Sequence, residues 1–274
     1  MSETARVRAC PGGPLLVRGA AIVVDDEGTE HPVTRPVVAV CACDRSPTLV
    51  RRDPQVAAGP AHVTRTAHSG ARRIDFDGLA IEFDEQVLEP RPWTAAQSRW
   101  AAELLETLPD GPVLELCSGA GHIGLAAVAG NDRRLVCVDA DPVAATYARQ
   151  NAEAAGMGDR VEQRLGRLDA ALAPAERFPL VIADPPWVRS SQVTRHPEDP
   201  PFAIDGGDDG LDVARRCWQV IDRHLEVQGQ ALLQLGDVGQ VEALAQTGGG
   251  RLRCVETRQY AGGVVARLAK TAQR

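Results

Sequence analysis

From residue 112 onward the chain alternates short apolar runs with amphipathic stretches, and this rhythm constrains the fold more than any other feature. "PVLELC" (112–117) reads as a strand, "GHIGLAAVAG" (121–130) opens a helix, "RLVCVD" (134–139) is a strand, and "PVAATYARQNAEAAG" (142–156) is a helix closed by Gly156. "RVEQRLG" (160–166) and "LVIADPP" (180–186) give two more strands, "LDVARRCWQVIDRHL" (211–225) a helix, and "GQALLQLG" (229–236) a further strand. This order predicts an α/β fold with a doubly wound, mostly parallel sheet, whose ligands bind beyond the C-terminal ends of the strands. The aperiodic stretch 188–210 falls at that same end, and loops of that length are functional lids or disordered.

The first seventy residues have a different texture. Short β-like runs ("PLLVRG", "AIVV", "PVVAVCA") are broken by turn signals such as "DDEG", which predicts a small β-rich domain over 1–70 ahead of an α/β domain over 71–274. At the junction, "RRIDFDGLAIEF" (72–83) sets Asp77-Gly78 between two alternating runs, a hairpin signal. "EPRPW" (89–93) then stops the strand and leads into a helix striped with Trp100, Leu104 and Leu108.

At 274 residues and 44% hydrophobic content the chain can bury a sizeable core. It has no apolar run long enough to span a membrane and no signal-peptide pattern at its start, so a cytoplasmic location is expected. Its seven cysteines are odd in number and mostly sit in apolar runs, which suits free thiols rather than a disulfide framework. The net charge of −7, with Lys270 the sole lysine, argues against a nucleic-acid binder that relies on broad phosphate neutralisation.

Two motifs carry chemistry. In "ELCSGAGHIG" (115–124), Gly119, Gly121 and Gly124 form a G-x-G-x-x-G between strand and helix, where the backbone can approach a ligand and helical N–H groups stand unpaired. Asp139 ends the next strand, placed to accept hydrogen bonds from ribose hydroxyls. A dinucleotide is one reading, but Glu115 puts a carboxylate where a nicotinamide site has apolar residues and suits a cationic ligand instead. The second motif is Asp184-Pro185-Pro186-Trp187, directly after a strand. Prolines fix φ and lack an N–H, so the backbone cannot continue a ladder and its carbonyls can turn into a cleft. The Asp184 side chain and the Pro185 carbonyl can grip the N–H groups of a flat nitrogen, and Trp187 can stack on it. As a plain strand terminator the same four residues would mean nothing.

In order, these motifs resemble the class I S-adenosylmethionine-dependent methyltransferases, whose amino-modifying branch carries [ND]-P-P-[YFW] after the fourth strand. Over residues 72–274 the chain is similar to the HemK/PrmC type, the protein-glutamine N5-methyltransferases: "FDGLAIEFDEQVLEPRPWT" (76–94) resembles their hairpin and proline signature, and "AIDGGDDGLDVARRCWQVIDRHL" (203–225) the segment after their NPPY turn. The resemblance implies a seven-stranded Rossmann-like sheet and S-adenosyl-L-methionine as cofactor, with no metal. It implies cofactor contacts from Glu115, Cys117, Gly119, Gly121, Asp139, Ala140, Arg167, Leu168 and Asp184, and an acceptor clamp of Asp184, Pro185, Pro186 and Trp187. Arg91, Trp93, Thr94 and His196 are candidate substrate contacts.

Three departures from the family matter. Asp184 replaces the family's asparagine, Gly166-Arg167-Leu168 falls where an acid reads the adenine amino group, and the N-terminal helical domain that grips release factors is missing. The missing macromolecule-binding parts and the acidic charge tilt the acceptor toward a small molecule carrying a planar or primary nitrogen; a protein glutamine or a nucleobase is the alternative. Residues 12–47 resemble a degenerate CDGSH iron–sulfur domain: Cys41, Cys43 and Ser46 match the start of its motif, but Arg52 and Val56 replace the third cysteine and the histidine, so no cluster is expected. Such a relic can cover a site, contact a partner or mediate homodimerisation. Two rivals stay open at this point: a nicotinamide oxidoreductase, and a non-catalytic protein sensing the cofactor or a redox signal.

Overall fold

The structure, a computed structural model, describes residues 70–271 throughout and, before them, residues 6–9, 15–18, 22–24, 30–32 and 37–40. The chain divides into two units, Met1–Arg65 and Thr66–Arg274. In the first, β1 (Arg6–Ala9), β2 (Leu15–Arg18) and β5 (Val37–Val40) form an antiparallel three-stranded sheet in the order β1-β2-β5, and β3 (Ile22–Val24) pairs with β4 (Glu30–Pro32). Cys41, Cys43 and the rest of the stretch that resembles the cluster motif lie outside the described residues.

The second unit opens on the hairpin of β6 (Arg72–Phe76) and β7 (Leu79–Phe83). Asp77 and Gly78 take φ of 53° and 86°, the two positive values that a tight two-residue turn between right-twisted strands requires. A 3-10 turn over Pro92–Thr94 feeds α1 (Ala95–Leu105). Then come β8 (Val113–Leu116), α2 (His122–Val128), β9 (Leu135–Asp139), α3 (Pro142–Ala154), β10 (Val161–Leu165), β11 (Phe178–Ala183), the short α4 (Pro201–Ile204), α5 (Asp212–His224), β12 (Leu225–Leu235), α6 (Val238–Thr247), β13 (Leu252–Tyr260) and β14 (Gly263–Lys270).

The sheet order is β10-β9-β8-β11-β12-β14-β13, parallel from β10 to β12 and antiparallel beyond. The chain builds outward from β8 to one side, then returns to β11 on the other, so the crevice between diverging connections opens at the C-terminal ends of β8 and β11. Continuous apolar strands are needed because both faces are covered. Val113, Leu135, Cys137, Leu180 and Ile182 pack toward the hairpin and α1–α3, whereas Leu114, Val136, Val138, Val181 and Ala183 pack toward α5 and α6. That period of two puts Glu115 on the first face, inside the core rather than at its edge.

The stretch after β11 is neither periodic nor loose. Val188 bridges Asp205, the Val188 N–H donates to the Ile204 carbonyl and the Gly206 N–H to the Val188 carbonyl, closing a loop that holds a 3-10 helix over Ser190–Arg195 and α4. Arg91 ties this loop back to the start of α1 through an ion pair with Asp199.

Candidate active site

Three carboxylates, Glu115, Asp139 and Asp184, gather at the ends of three neighbouring strands, and among the described residues none of them has a cationic partner. Glu115 is 2% exposed. One oxygen accepts the Gly124 N–H at 2.9 Å, capping the first turn of α2 from the strand below, and the other meets the Cys137 thiol at 3.4 Å. Burial pushes its acid up to about 8, with the charges of Asp139 and Asp184 acting in the same direction.

Asp139 faces the loop. Its two oxygens accept the N–H of Gly119 at 2.8 Å and of Asp141 at 2.9 Å, and burial outweighs these bonds and raises its pKa. The Asp184 carboxylate has no hydrogen-bond partner among the described residues, and desolvation alone lifts it to about 7. The Pro185 carbonyl beside it is equally free of partners there.

The loop glycines divide their work. A Cβ on Gly119 (φ 52°) would meet nothing within 4 Å, so this backbone borders open space that a ligand can fill. On Gly121 (φ 78°), the N-cap of α2, it would press on Ala148 Cβ at 3.1 Å. On Gly124 it would fall 2.4 Å from the Glu115 carboxylate. Gly124 therefore makes room for protein, not ligand. Cys117 holds a left-handed φ of 57°, a position that suits glycine, and its sulfur lies 3.9 Å from that of Cys217 on α5. The Cys217 thiol, and after it burial, raise the Cys117 pKa well above that of a free thiol.

The Asp184–Trp187 turn is held from behind. Gln97 on α1 donates to the carbonyls of Ala183 (3.1 Å) and Leu232 (3.2 Å), fixing the backbone just before Asp184. Gln240 on α6 donates to the Trp187 carbonyl at 2.9 Å and accepts the Gly236 N–H at 2.9 Å. The Trp187 ring covers Gly236, where a Cβ would come within 2.6 Å of it. Asn151 joins the hairpin to the glycine loop, donating to the carbonyls of Glu82 and Ala120 at 2.9 Å each. These three amides carry no sequence signal, since a polar residue on an amphipathic helix reads as a solvated one.

Other candidates fare differently. Ala140 is exposed at the end of β9, Arg167 is exposed and paired with Asp169, and Leu168 is half-buried toward α5 and α6. Trp93, half-buried, packs on Gly262 in the β13–β14 turn, and the Thr94 hydroxyl donates to the Arg91 carbonyl at 2.7 Å. His196 is exposed; with Glu198 and Asp199 it forms a cluster of metal-ligand type, but Arg91 already pairs with Asp199. His122 lies inside the glycine loop. It is buried edge-on to Phe76 at 4.7 Å, its Nδ1 lacks a partner among the described residues, and burial holds its pKa down at about 3.

The matches to known proteins agree with this frame. A family model described as Conserved hypothetical protein 95 matches residues 93–196. The ribosomal protein L11 methylase of Lactobacillus delbrueckii subsp. bulgaricus superposes with a TM-score of 0.50 at 16% identity, covering 69% of this chain and 84% of that one. The fold is thus that of a class I methyltransferase. The release factor glutamine methyltransferase of Gloeobacter violaceus is 31% identical over 195 residues, 67% of each chain. A ribosomal protein uL3 glutamine methyltransferase of Bradyrhizobium diazoefficiens is 27% identical over 85% of this chain and 87% of its own length. The chain belongs to the family of these enzymes, class I methyltransferases related to HemK/PrmC. It spans between 54% and 60% of the length of the first such relatives that it matches. Among the described residues no helix is long and apolar enough to cross a membrane.

Proposed function

We propose that the chain is an S-adenosylmethionine-dependent N-methyltransferase whose acceptor is the side-chain amide of a protein glutamine. The observation that carries the reading is the set of three acids without a cationic partner beside the free Asp184 and Pro185 oxygens. Asp139 and the ionised fraction of Asp184 favour a positive centre over a pyrophosphate, which disfavours the nicotinamide alternative, whereas Glu115, with its acid near 8, is largely protonated at neutral pH. The open space over Gly119 and the Asp139 carboxylate fit the cofactor's ribose end, while Glu115 shapes the loop from inside. The expectation of a small-molecule acceptor gives way here, because the relatives named above act on glutamines of a release factor and of uL3.

When bound, the cofactor supplies an electrophilic methyl group on a cationic sulfur. The protein's part is to present the nucleophile. An amide nitrogen is weak because its lone pair is delocalised, and two acceptors on its N–H groups, the Asp184 carboxylate and the Pro185 carbonyl, draw it toward tetrahedral geometry. With its acid near 7, Asp184 is ionised in about half of the molecules at neutral pH, and the ionised form can take the proton that the methylated amide must lose. Gln97 and Gln240 hold the turn so that neither acceptor swings away.

Calorimetry with S-adenosylmethionine tests this. Asp139→Ala should abolish binding, while Asp184→Ala should retain binding and lose transfer. Tight binding of NADH, or normal transfer by Asp184→Ala, would overturn the reading.

A further inference from the structure

At the opposite end of the strands from the three acids, about 20 Å away along β11, a cleft of about 420 Å³ is lined by Arg177, Arg223, Arg251 and Lys270 together with Glu226 and Val227. Arg177 precedes β11, Arg223 lies in the last turn of α5, Arg251 precedes β13, and Lys270 closes β14, so the topology brings four separate chain segments to one place.

Among the described residues none of these four cations has an ion pair. Elsewhere in the same unit arginines find carboxylates readily: Arg164, Arg215 and Arg258 each pair with two. Two acids are at hand. Asp222 spends Oδ1 on the Arg251 backbone N–H at 3.0 Å, and Glu226 has no partner among the described residues. The cations feel one another: beyond burial, the charges of Arg251 and Arg177 lower the Lys270 pKa against the opposing pull of Asp222.

The cluster is also preorganised. One Arg177 terminal nitrogen donates to the carbonyls of Pro174 (2.8 Å) and Glu176 (2.7 Å), which leaves the other guanidinium N–H groups for a ligand. The Lys270 ammonium is anchored on the Leu225 carbonyl. The Arg251 carbonyl accepts from the Thr271 N–H (3.0 Å) and hydroxyl (3.2 Å). Arg177, Arg223 and Arg251 are exposed and Lys270 is half-buried, and none of them reaches the carboxylates at the other end of the strands. Guanidinium forks match phosphate oxygens in geometry and charge.

We propose that this cleft is a binding site for phosphate oxyanions, carried either by an RNA strand or by a free phosphate compound. The acidic balance of the whole chain is no obstacle, because the four cations are concentrated at one end of the strands. The site does not depend on the proposed transfer reaction.

The test measures anisotropy of a short fluorescein-labelled oligouridylate at low salt, with pyrophosphate binding followed in parallel by calorimetry. The triple variant Arg177→Gln/Arg223→Gln/Arg251→Gln removes three of the four charges, and its urea midpoint checks that it still folds. Arg149→Gln, exposed on α3, is the control. The wild type should bind the oligonucleotide with a salt dependence that flattens by roughly two units in the triple variant, with affinity falling roughly tenfold or more; Arg149→Gln should match the wild type. Pyrophosphate binding alone, lost in the triple variant, would also support the site and identify the free-phosphate source. Binding of neither probe, equal binding by the triple variant, or tighter binding of a glutamate-rich peptide would overturn the proposal.

Discussion

Replacing Asp184 by asparagine should make stability less sensitive to pH, and the size of the effect follows from its surroundings. Desolvation lifts the native carboxyl from an ordinary value of 3.8 to about 7. Between about pH 4 and 7 the native protein therefore keeps a proton that the unfolded chain has released, and stability falls as pH rises through that window and levels off above it. Linkage gives a penalty of about 1.7 kcal/mol at pH 5 and about 4 kcal/mol at pH 8. An asparagine side chain has nearly the shape of the protonated acid and no charge to desolvate, so the penalty is absent in Asp184→Asn. Contributions common to both proteins cancel in the difference. Glu115, raised in part by the Asp184 charge, relaxes downward in the variant and adds to its advantage at high pH. Urea unfolding of both proteins, followed by far-UV circular dichroism from pH 5 to 8, should show the advantage of Asp184→Asn growing by about 2 to 3 kcal/mol across that range. A difference that stays constant with pH, or a wild type more stable at pH 8, would refute the desolvated-acid reasoning.

Other substitutions probe the scaffold of the site. Gly124→Ala should gain about 1 kcal/mol of helix propensity but lose about 1 to 3 kcal/mol to the clash with Glu115, a net destabilisation visible as a lower urea midpoint. Cys117→Gly should relieve a left-handed residue and leave stability unchanged or up to about 1 kcal/mol higher, measured the same way. Gln240→Ala strands the Trp187 carbonyl and the Gly236 N–H; it should cost about 1 to 3 kcal/mol and lower kcat more than it weakens cofactor binding.

Much of the frame was legible in the residues because it rests on patterns that physics makes periodic. The alternation of β8, α2, β9 and α3 could be read directly, and Asp77-Gly78 announced its turn because few other pairs accept two positive φ values. What stayed hidden depends on which long-range partners meet. Glu115 reads from the sequence as a ligand contact near the end of an apolar strand, but nothing local announces that the two-residue period also turns it onto the Gly124 N–H. Trp93 and Thr94 sat in a signature stretch, but Gly262, far along the chain in the β13–β14 turn, claims the tryptophan. The loop after β11 reads as aperiodic because its order comes from pairings across it, the Val188–Asp205 bridge, the Ser190 bonds to Gly207 and Asp205 and the Arg91–Asp199 pair, which follow no helix or strand period. The basic end was masked by a net charge averaged over the whole sequence.

The central claim, methyl transfer to a protein amide nitrogen, is most directly tested by the chemical form of the transferred label. The protein is incubated with bacterial extract and S-adenosylmethionine labelled in its methyl group, and the macromolecular fraction is hydrolysed in hot acid. An N-methylated glutamine side chain releases labelled methylamine and leaves unlabelled glutamate, so volatile labelled amine that disappears with Asp184→Ala is the predicted result. Label that remains on an involatile amino acid, or that is found only in the small-molecule fraction, would contradict it.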